Sequence, residues 1–286
     1  MSLWLDLAGC EYRIAFINAG GLRTRYLEAG REGRENSKEA LVFLHGSGGY
    51  LEAYTKNIPA HAKHMRVFAI DMIGHGFTEK PDRPYQIDDY MNHLLAFMDA
   101  KGIKAAHISG ESLGGWVAAW TAIKRPERVL KLQLNTAGGL TANPEVMDRL
   151  RTLSMNAVKS PDRDAVKKRL EWLMHDKSHV SEDLVDMRYS IYTQPGFVKA
   201  MENIMCLQIM DIRRKNMITD DMLRTIKSQT QIIWTDHDPT GAVEVGERFA
   251  ANIPTAKLHV MQGCGHWPQF EDAPTFNRLS LDFLTR

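Results

Sequence analysis

A doubly wound α/β sheet, eight-stranded and mostly parallel, with helices on both faces and an inserted helical lid, is the fold class this sequence predicts. Three observations predict it. Short β-rich runs recur with helical patterns between most of them; the alternation stops after Asn135 and resumes near Gln231; and one serine sits among glycines where an apolar strand run gives way to a helical one. Alternating strand and helix signals favour a parallel sheet, because a chain that leaves one strand must cross over a face of the sheet to lay down the next.

The first two runs, 13–17 and 22–27, alternate apolar and polar side chains well enough to form an antiparallel edge pair. The runs at 41–44, 67–70, 106–109, 129–134, 231–234 and 257–261 supply the other strands, and the middle ones are apolar throughout, as strands covered on both faces are. Between the fourth and fifth runs, Ile87, Tyr90, Met91, Leu94, Leu95 and Met98 repeat at helical spacing. From Gly139 to Arg214 the pattern is helical: Val166, Leu170, Leu173 and Met174 mark one helix, and Leu184, Met187, Tyr189 and Ile191 a second. Ser160-Pro161 and Gln194-Pro195-Gly196 punctuate this stretch. The expected organisation is a core over 1–138, a lid over 139–214 and the rest of the core over 215–286.

A chain of 286 residues buries about three quarters of the surface its unfolded form exposes, so its core needs no disulfide or metal. Lys and Arg (36) balance Asp and Glu (35), which gives nucleic acid and anionic membranes no field to follow. Cys10, Cys206 and Cys264 are odd in number and far apart, without the short paired spacings of metal or redox sites, and fit a reduced, cytoplasmic setting. The opening Met-Ser-Leu-Trp-Leu-Asp lacks a basic stretch followed by an apolar run. No window approaches the roughly 18 uninterrupted apolar residues of a membrane span, so a soluble protein with no membrane partner is expected.

The chemistry-bearing signal is Gly110-Glu111-Ser112-Leu113-Gly114-Gly115, which follows the run 106–109 and precedes a helical run. It is G-x-S-x-G in the context that gives it meaning: a tight strand-to-helix turn lifts the serine hydroxyl above the sheet, and small neighbours give the turn room. The Leu113 amide then lies at a helix N-terminus, where it can stabilise a developing oxyanion. A serine hydroxyl is a weak nucleophile near neutrality and needs a base, and the base needs an acid to orient it. His266, in Gly263-Cys264-Gly265-His266-Trp267-Pro268 just past the last strand run, is the expected base. Asp236 and Asp238 both follow the run ending at Trp234; Asp238, deeper in the loop and stiffened by Pro239, is preferred as the acid, with Asp236 as a turn residue. His45-Gly46-Ser47-Gly48-Gly49 follows another apolar run where a second oxyanion donor is needed, and Ser47 offers its backbone N–H, with Gly46 and Gly48 as loop contacts to substrate. His75, in the turn of Asp71-Met72-Ile73-Gly74-His75-Gly76, is read as structural.

Taken together these motifs resemble the α/β-hydrolase fold over nearly the whole chain. The segments His45-Gly46-Ser47-Gly48, Gly265-His266-Trp267 with Phe270-Glu271, and Phe276-Asn277-Arg278-Leu279 are similar to those of meta-cleavage product hydrolases. That resemblance implies cleavage of a carbon–carbon bond in a 2-hydroxy-6-oxo-2,4-dienoate during aromatic degradation, a small dienoate as partner, no cofactor, and assembly as a dimer or larger. It also implies that Arg188, in Asp186-Met187-Arg188-Tyr189, contacts the dienoate end and that Trp267 lines the site. A guanidinium suits the first role because it grips a carboxylate through two parallel hydrogen bonds and keeps its charge when buried. One departure is Glu111, where the family commonly has asparagine; a carboxylate there would repel an anionic substrate, so it is expected to point away or to meet a cation. Two rivals share the triad: a carboxylesterase, which needs no carboxylate clamp, and a noncatalytic small-molecule receptor.

Overall fold

The computed structural model describes residues 2–30 and 39–286. Its centre is one eight-stranded sheet in the order β1-β2-β4-β3-β5-β6-β7-β8. The strands are β1 (Tyr12–Ala19), β2 (Leu22–Ala29), β3 (Ala40–Leu44), β4 (Arg66–Ile70), β5 (Ala106–Glu111), β6 (Val129–Asn135), β7 (Gln229–Thr235) and β8 (Ala256–Met261). The helices are α1 (Ile58–Ala62), α2 (Ile87–Ala100), α3 (Leu113–Lys124), α4 (Pro144–Lys159), α5 (Arg163–Glu171), α6 (Glu182–Tyr192), α7 (Phe197–Ile204), α8 (Met210–Asn216), α9 (Asp220–Arg224), α10 (Val243–Asn252), α11 (Pro268–Glu271) and α12 (Ala273–Leu284).

Burial follows the sequence pattern. Every residue of β3 and of β5 is buried, as strands in the middle of a sheet covered on both faces are, although β5 carries His107, Ser109 and Glu111. β1 forms the antiparallel edge, where Tyr12, Ile14 and Phe16 stay exposed on one face. The antiparallel part reaches one pair further than the sequence suggests, since β2 also runs antiparallel to β4; from β4 to β8 all pairings are parallel. Parallel strands send their C-terminal ends to one edge of the sheet, so the loops after β3, β5, β6, β7 and β8 meet there, at the place where open α/β sheets bind ligands.

Two helices show how the sequence sets these elements. α2 begins with a reciprocal cap, Gln86 accepting from the third helical amide while Asp89 accepts from the Gln86 amide at 2.8 Å. α3 is apolar nearly all round because it is packed on nearly all sides, and its glycines let it press against the sheet. Between β6 and β7 the chain forms α4 to α9; α4 to α7 pack on one another, and α9 packs against α3 and α10. Among the described residues no helix is long and apolar enough to cross a membrane.

Candidate active site

Ser112 is the residue between β5 and α3, and its backbone stands at φ 54°, ψ −115°. A residue with a Cβ rarely takes this conformation, and it survives because the surroundings leave no alternative. A Cβ on Gly110 would come within 2.1 Å of the Gly114 carbonyl oxygen, and one on Gly114 within 2.1 Å of the Leu44 carbonyl oxygen, so the turn closes only with glycine at both positions. The Ser112 amide donates to Asn135 O at 3.0 Å, and Ser112 O accepts from Trp116 N at 3.0 Å and Gly138 N at 2.9 Å. Leu113, as the first residue of α3, has an N–H with no partner inside the helix.

His266 sits in the loop between β8 and α11, with its own amide donating to Leu173 O at 2.6 Å and its carbonyl accepting from Thr136 Oγ1 at 2.9 Å. Glu271 anchors the same loop by accepting from Gly265 N at 2.9 Å, His175 N at 2.8 Å and Trp267 N at 3.4 Å. The His266 Nδ1 faces both carboxylate oxygens of Asp238, at 2.9 and 3.0 Å. Thr240 in turn donates its amide and its hydroxyl to Asp238 Oδ1, both at 2.8 Å. Asp236 lies apart, accepting from Cys264 N at 3.3 Å and facing His237, so the two aspartates that sequence leaves side by side are separated by geometry. Burial alone would lower the His266 pKa, but Asp238 and then Glu111 outweigh it and hold the imidazole above its ordinary value.

The loop after β3 is held just as firmly. Asp71 accepts from Leu51 N at 2.8 Å and Phe77 N at 2.9 Å and pairs with Arg25, which also meets Glu52. His45 Nε2 accepts from Met72 N at 3.1 Å, which leaves Nδ1 to donate to Gly46 O at 2.8 Å; burial pushes this imidazole down to about 4 and keeps it neutral. His75 is likewise buried, with Nδ1 against Ile73 O at 2.9 Å, and it packs on the His45 ring. Ser47 and Gly46 line the cleft that holds Ser112 and His266. Gly48 does not; at φ 70° it turns its carbonyl to Tyr192 of α6, whose hydroxyl donates to it at 3.0 Å.

Glu111 does not point away. Its buried carboxylate faces the cleft, with Oε1 3.2 Å from His266 Nε2, and a Cβ on Gly46 would lie 2.6 Å from Oε2. Neither oxygen has a hydrogen-bond partner among the described residues, and no hydrogen bond joins His266 to Ser112 there either. Burial pushes the Glu111 carboxyl up to about 7, against the pull of His266. The acid therefore meets a group that becomes a cation, the second of the two arrangements the sequence left open.

Arg188 is fully buried in α6, and none of its three side-chain nitrogens has a hydrogen-bond partner among the described residues. Its guanidinium lies over the rings of Tyr50 at 5.3 Å, Tyr192 at 5.7 Å and Trp267 at 5.3 Å. Of these rings Trp267 is part of the cleft wall, and Arg188 itself is not. Arg188, expected to contact the dienoate end of the substrate, thus lies against Trp267 next to the cleft. The cleft wall also carries two arginines that sequence reasoning missed. Arg169 gives Nε to Ser154 Oγ at 3.1 Å and leaves Nη1 without a partner; Arg213 lies over Trp116 at 5.1 Å. Burial pushes both guanidinium groups down to about 10. Apolar periodicity gives no signal for either, since both occur in stretches that read as solvated helix faces. Among the described residues no group of three or more His, Cys, Asp or Glu is placed to hold a metal ion.

Residues 39–273 match the α/β-hydrolase fold family. The chain is 33% identical over 259 residues to the 2-hydroxy-6-oxo-6-phenylhexa-2,4-dienoate hydrolase of Burkholderia cepacia, with 86% of this chain and 87% of that one covered. It is also 33% identical over 275 residues to a 2-hydroxy-6-oxononadienedioate/2-hydroxy-6-oxononatrienedioate hydrolase of Burkholderia vietnamiensis, covering 93% and 92%. Among solved structures, a meta-cleavage product hydrolase from Pseudomonas fluorescens IP01 superposes with a TM-score of 0.81 at 31% identity, over 95% of this chain and 97% of that one. The chain therefore belongs to the α/β-hydrolase fold family, and within it to the meta-cleavage product hydrolases.

Proposed function

We propose that this protein hydrolyses the C5–C6 bond of a 2-hydroxy-6-oxo-2,4-dienoate, with Ser112 as nucleophile, His266 as base and Asp238 as the acid that orients it. The observation that carries this reading, beyond kinship, is Arg188: a buried guanidinium with no hydrogen-bond partner beside the Ser112 cleft. Removing a charge from water without a counter-ion costs several kcal/mol, a cost that makes sense if an anion arrives to complete the pair. The substrate carboxylate is that anion, reached when the Trp267 and Tyr192 rings turn aside.

In the first half of the reaction the dienol passes its 2-hydroxyl proton to C5, which leaves a 2-keto group in conjugation with the C3–C4 double bond. His266 Nε2 takes the Ser112 proton as Oγ attacks C6, and the Ser47 and Leu113 amides receive the oxyanion. For this Nε2 must leave Glu111 for Ser112, a tightening that substrate-free sites commonly await. The oxyanion then collapses, the C5–C6 bond breaks, and its electron pair runs through C3–C4 to the 2-keto oxygen, which collects the proton from His266. This gives a 2-hydroxypenta-2,4-dienoate and an acyl-Ser112 ester. Water, deprotonated by His266, attacks the ester, and Ser112 leaves with that proton to release the carboxylic acid.

The test is to mix the protein with 2-hydroxy-6-oxo-6-phenylhexa-2,4-dienoate and follow loss of its visible absorbance. Bleaching by the wild type is expected, with a drop in turnover on the order of 10⁶ in Ser112→Ala. Absence of bleaching while p-nitrophenyl acetate is still cleaved would move the assignment to a carboxylesterase.

A further inference from the structure

We propose that the end of the cleft away from Arg188 is a second acid-binding subsite, in which Arg213 and Gln208 hold a carboxylate on the acyl half of the substrate. The preferred substrates are then dicarboxylic. This inference rests on the proposed function for the placing of the dienoate carboxylate at Arg188.

The two arginines sit among different groups around the nucleophile. Arg188 lies over Tyr50 in the loop after β3, Tyr192 of α6 and Trp267 in the loop after β8, whereas Arg213 lies over Trp116 of α3 and donates from Nε to Thr141 O, in the loop after β6, at 2.8 Å. β5, which carries Ser112 at its tip, runs between β3 and β6. A dienoate anchored at Arg188 with C6 at Ser112 therefore extends its acyl group toward Arg213.

Arg213 is almost fully buried, and its partners are all neutral: Thr141 O, Leu207 O at 3.3 Å and Gln208 Oε1 at 3.2 Å. No carboxylate lies within 4 Å of it among the described residues, and no hydrogen bond engages Nη2. Burial is what acts on its pKa, with no acid among the described residues to offset it. Arg169, by contrast, shares its surroundings with Tyr192, Arg188 and Glu111 and belongs to the other end of the cleft. Gln208 also lines the cleft, and with its oxygen engaged by Arg213 it offers Nε2 as a second donor. Two donors side by side, one of them charged, suit the two oxygens of a carboxylate. An aryl or alkyl group would leave the guanidinium without a counter-charge.

The experiment compares kcat/KM for two matched pairs. One pair is mono-p-nitrophenyl glutarate against p-nitrophenyl pentanoate; the other is 2-hydroxy-6-oxonona-2,4-dienedioate against its 6-phenylhexadienoate counterpart. In the wild type the acid-bearing member is expected to win by about tenfold or more in each pair, the scale of one hydrogen bond to a charged group. The ratio should collapse toward one in Arg213→Met and recover in part in Arg213→Lys. A wild-type ratio at or below one in both pairs, or an unchanged ratio in a folded Arg213→Met protein, overturns the subsite. Should the methionine variant fail to fold, the wild-type ratios still decide. Ester preference without bleaching of either dienoate keeps the subsite and removes carbon–carbon cleavage; bleaching of both without preference does the reverse. Turnover of none of the four overturns both.

Discussion

A carboxyl group buried against an imidazole competes with it for a proton, and at Glu111 and His266 that competition falls on the nitrogen the serine needs. Negative charge on Glu111 stabilises the imidazolium, so removing it lowers the His266 pKa and lets the base act at lower pH. The acidic limb of the kcat/KM profile in Glu111→Gln is therefore expected to move to lower pH than in wild type, and a limb that stays put would detach Glu111 from the base. Stability carries a second signature. The carboxyl rises from 4.5 to about 7 on folding, so the folded state holds the extra proton between those values. Its contribution is intact below pH 4.5 and is lost as pH rises through 7, a loss of about 3 kcal/mol. The fall in Tm between pH 5 and pH 8 should accordingly be smaller in Glu111→Gln. Arg188 separates stability from function in another way. Arg188→Met replaces an unpartnered buried charge with an apolar side chain, and is expected to raise stability by about 1–4 kcal/mol in urea unfolding while KM for a dienoate climbs steeply.

Two contacts between elements join the parts of the site. Gly114 brings α3 against β3, where an added Cβ would stand 2.1 Å from Leu44 O. Gly114→Ala is expected to cost about 3 kcal/mol in chemical denaturation and to displace Ser112, because the neighbour is backbone and has nowhere to go. Tyr192 joins α6 to the loop after β3 through its bond to Gly48 O. Tyr192→Phe should lose about 1 kcal/mol of stability, with a larger effect on dienoate turnover than a distant surface change would have. The strands, α2 and the α3 turn were legible in sequence because each writes its periodicity or its glycines locally. The antiparallel β2–β4 pairing writes nothing local: it depends on which strand lies next in space. Ser112 and His266 were legible for the same reason as the elements, since each sits in its own short motif at a strand end. Sequence already favours Asp238 over Asp236, and the loop geometry sets Asp238 against His266 Nδ1.

Across the whole molecule, what sequence did not reveal is what the helices between β6 and β7 bring down from above. Arg169 and Arg213 look like polar helix positions until α5 and α8 close over the sheet, and Glu111 looks like a neighbour of the serine until the Gly46 loop leaves it one place to turn. Arg188 was legible through resemblance alone, and its place against Trp267 through nothing in the chain. The same assembly ties the base to the roof: His266 N donates to Leu173 O, and Glu271 grips Gly265 and His175 with a single carboxylate. Any motion that lifts residues 173–175 to admit a ligand pulls on the backbone that aims the imidazole. Roof and base share one set of hydrogen bonds, so a change that displaces Leu173 or His175 is also a change in the aim of His266.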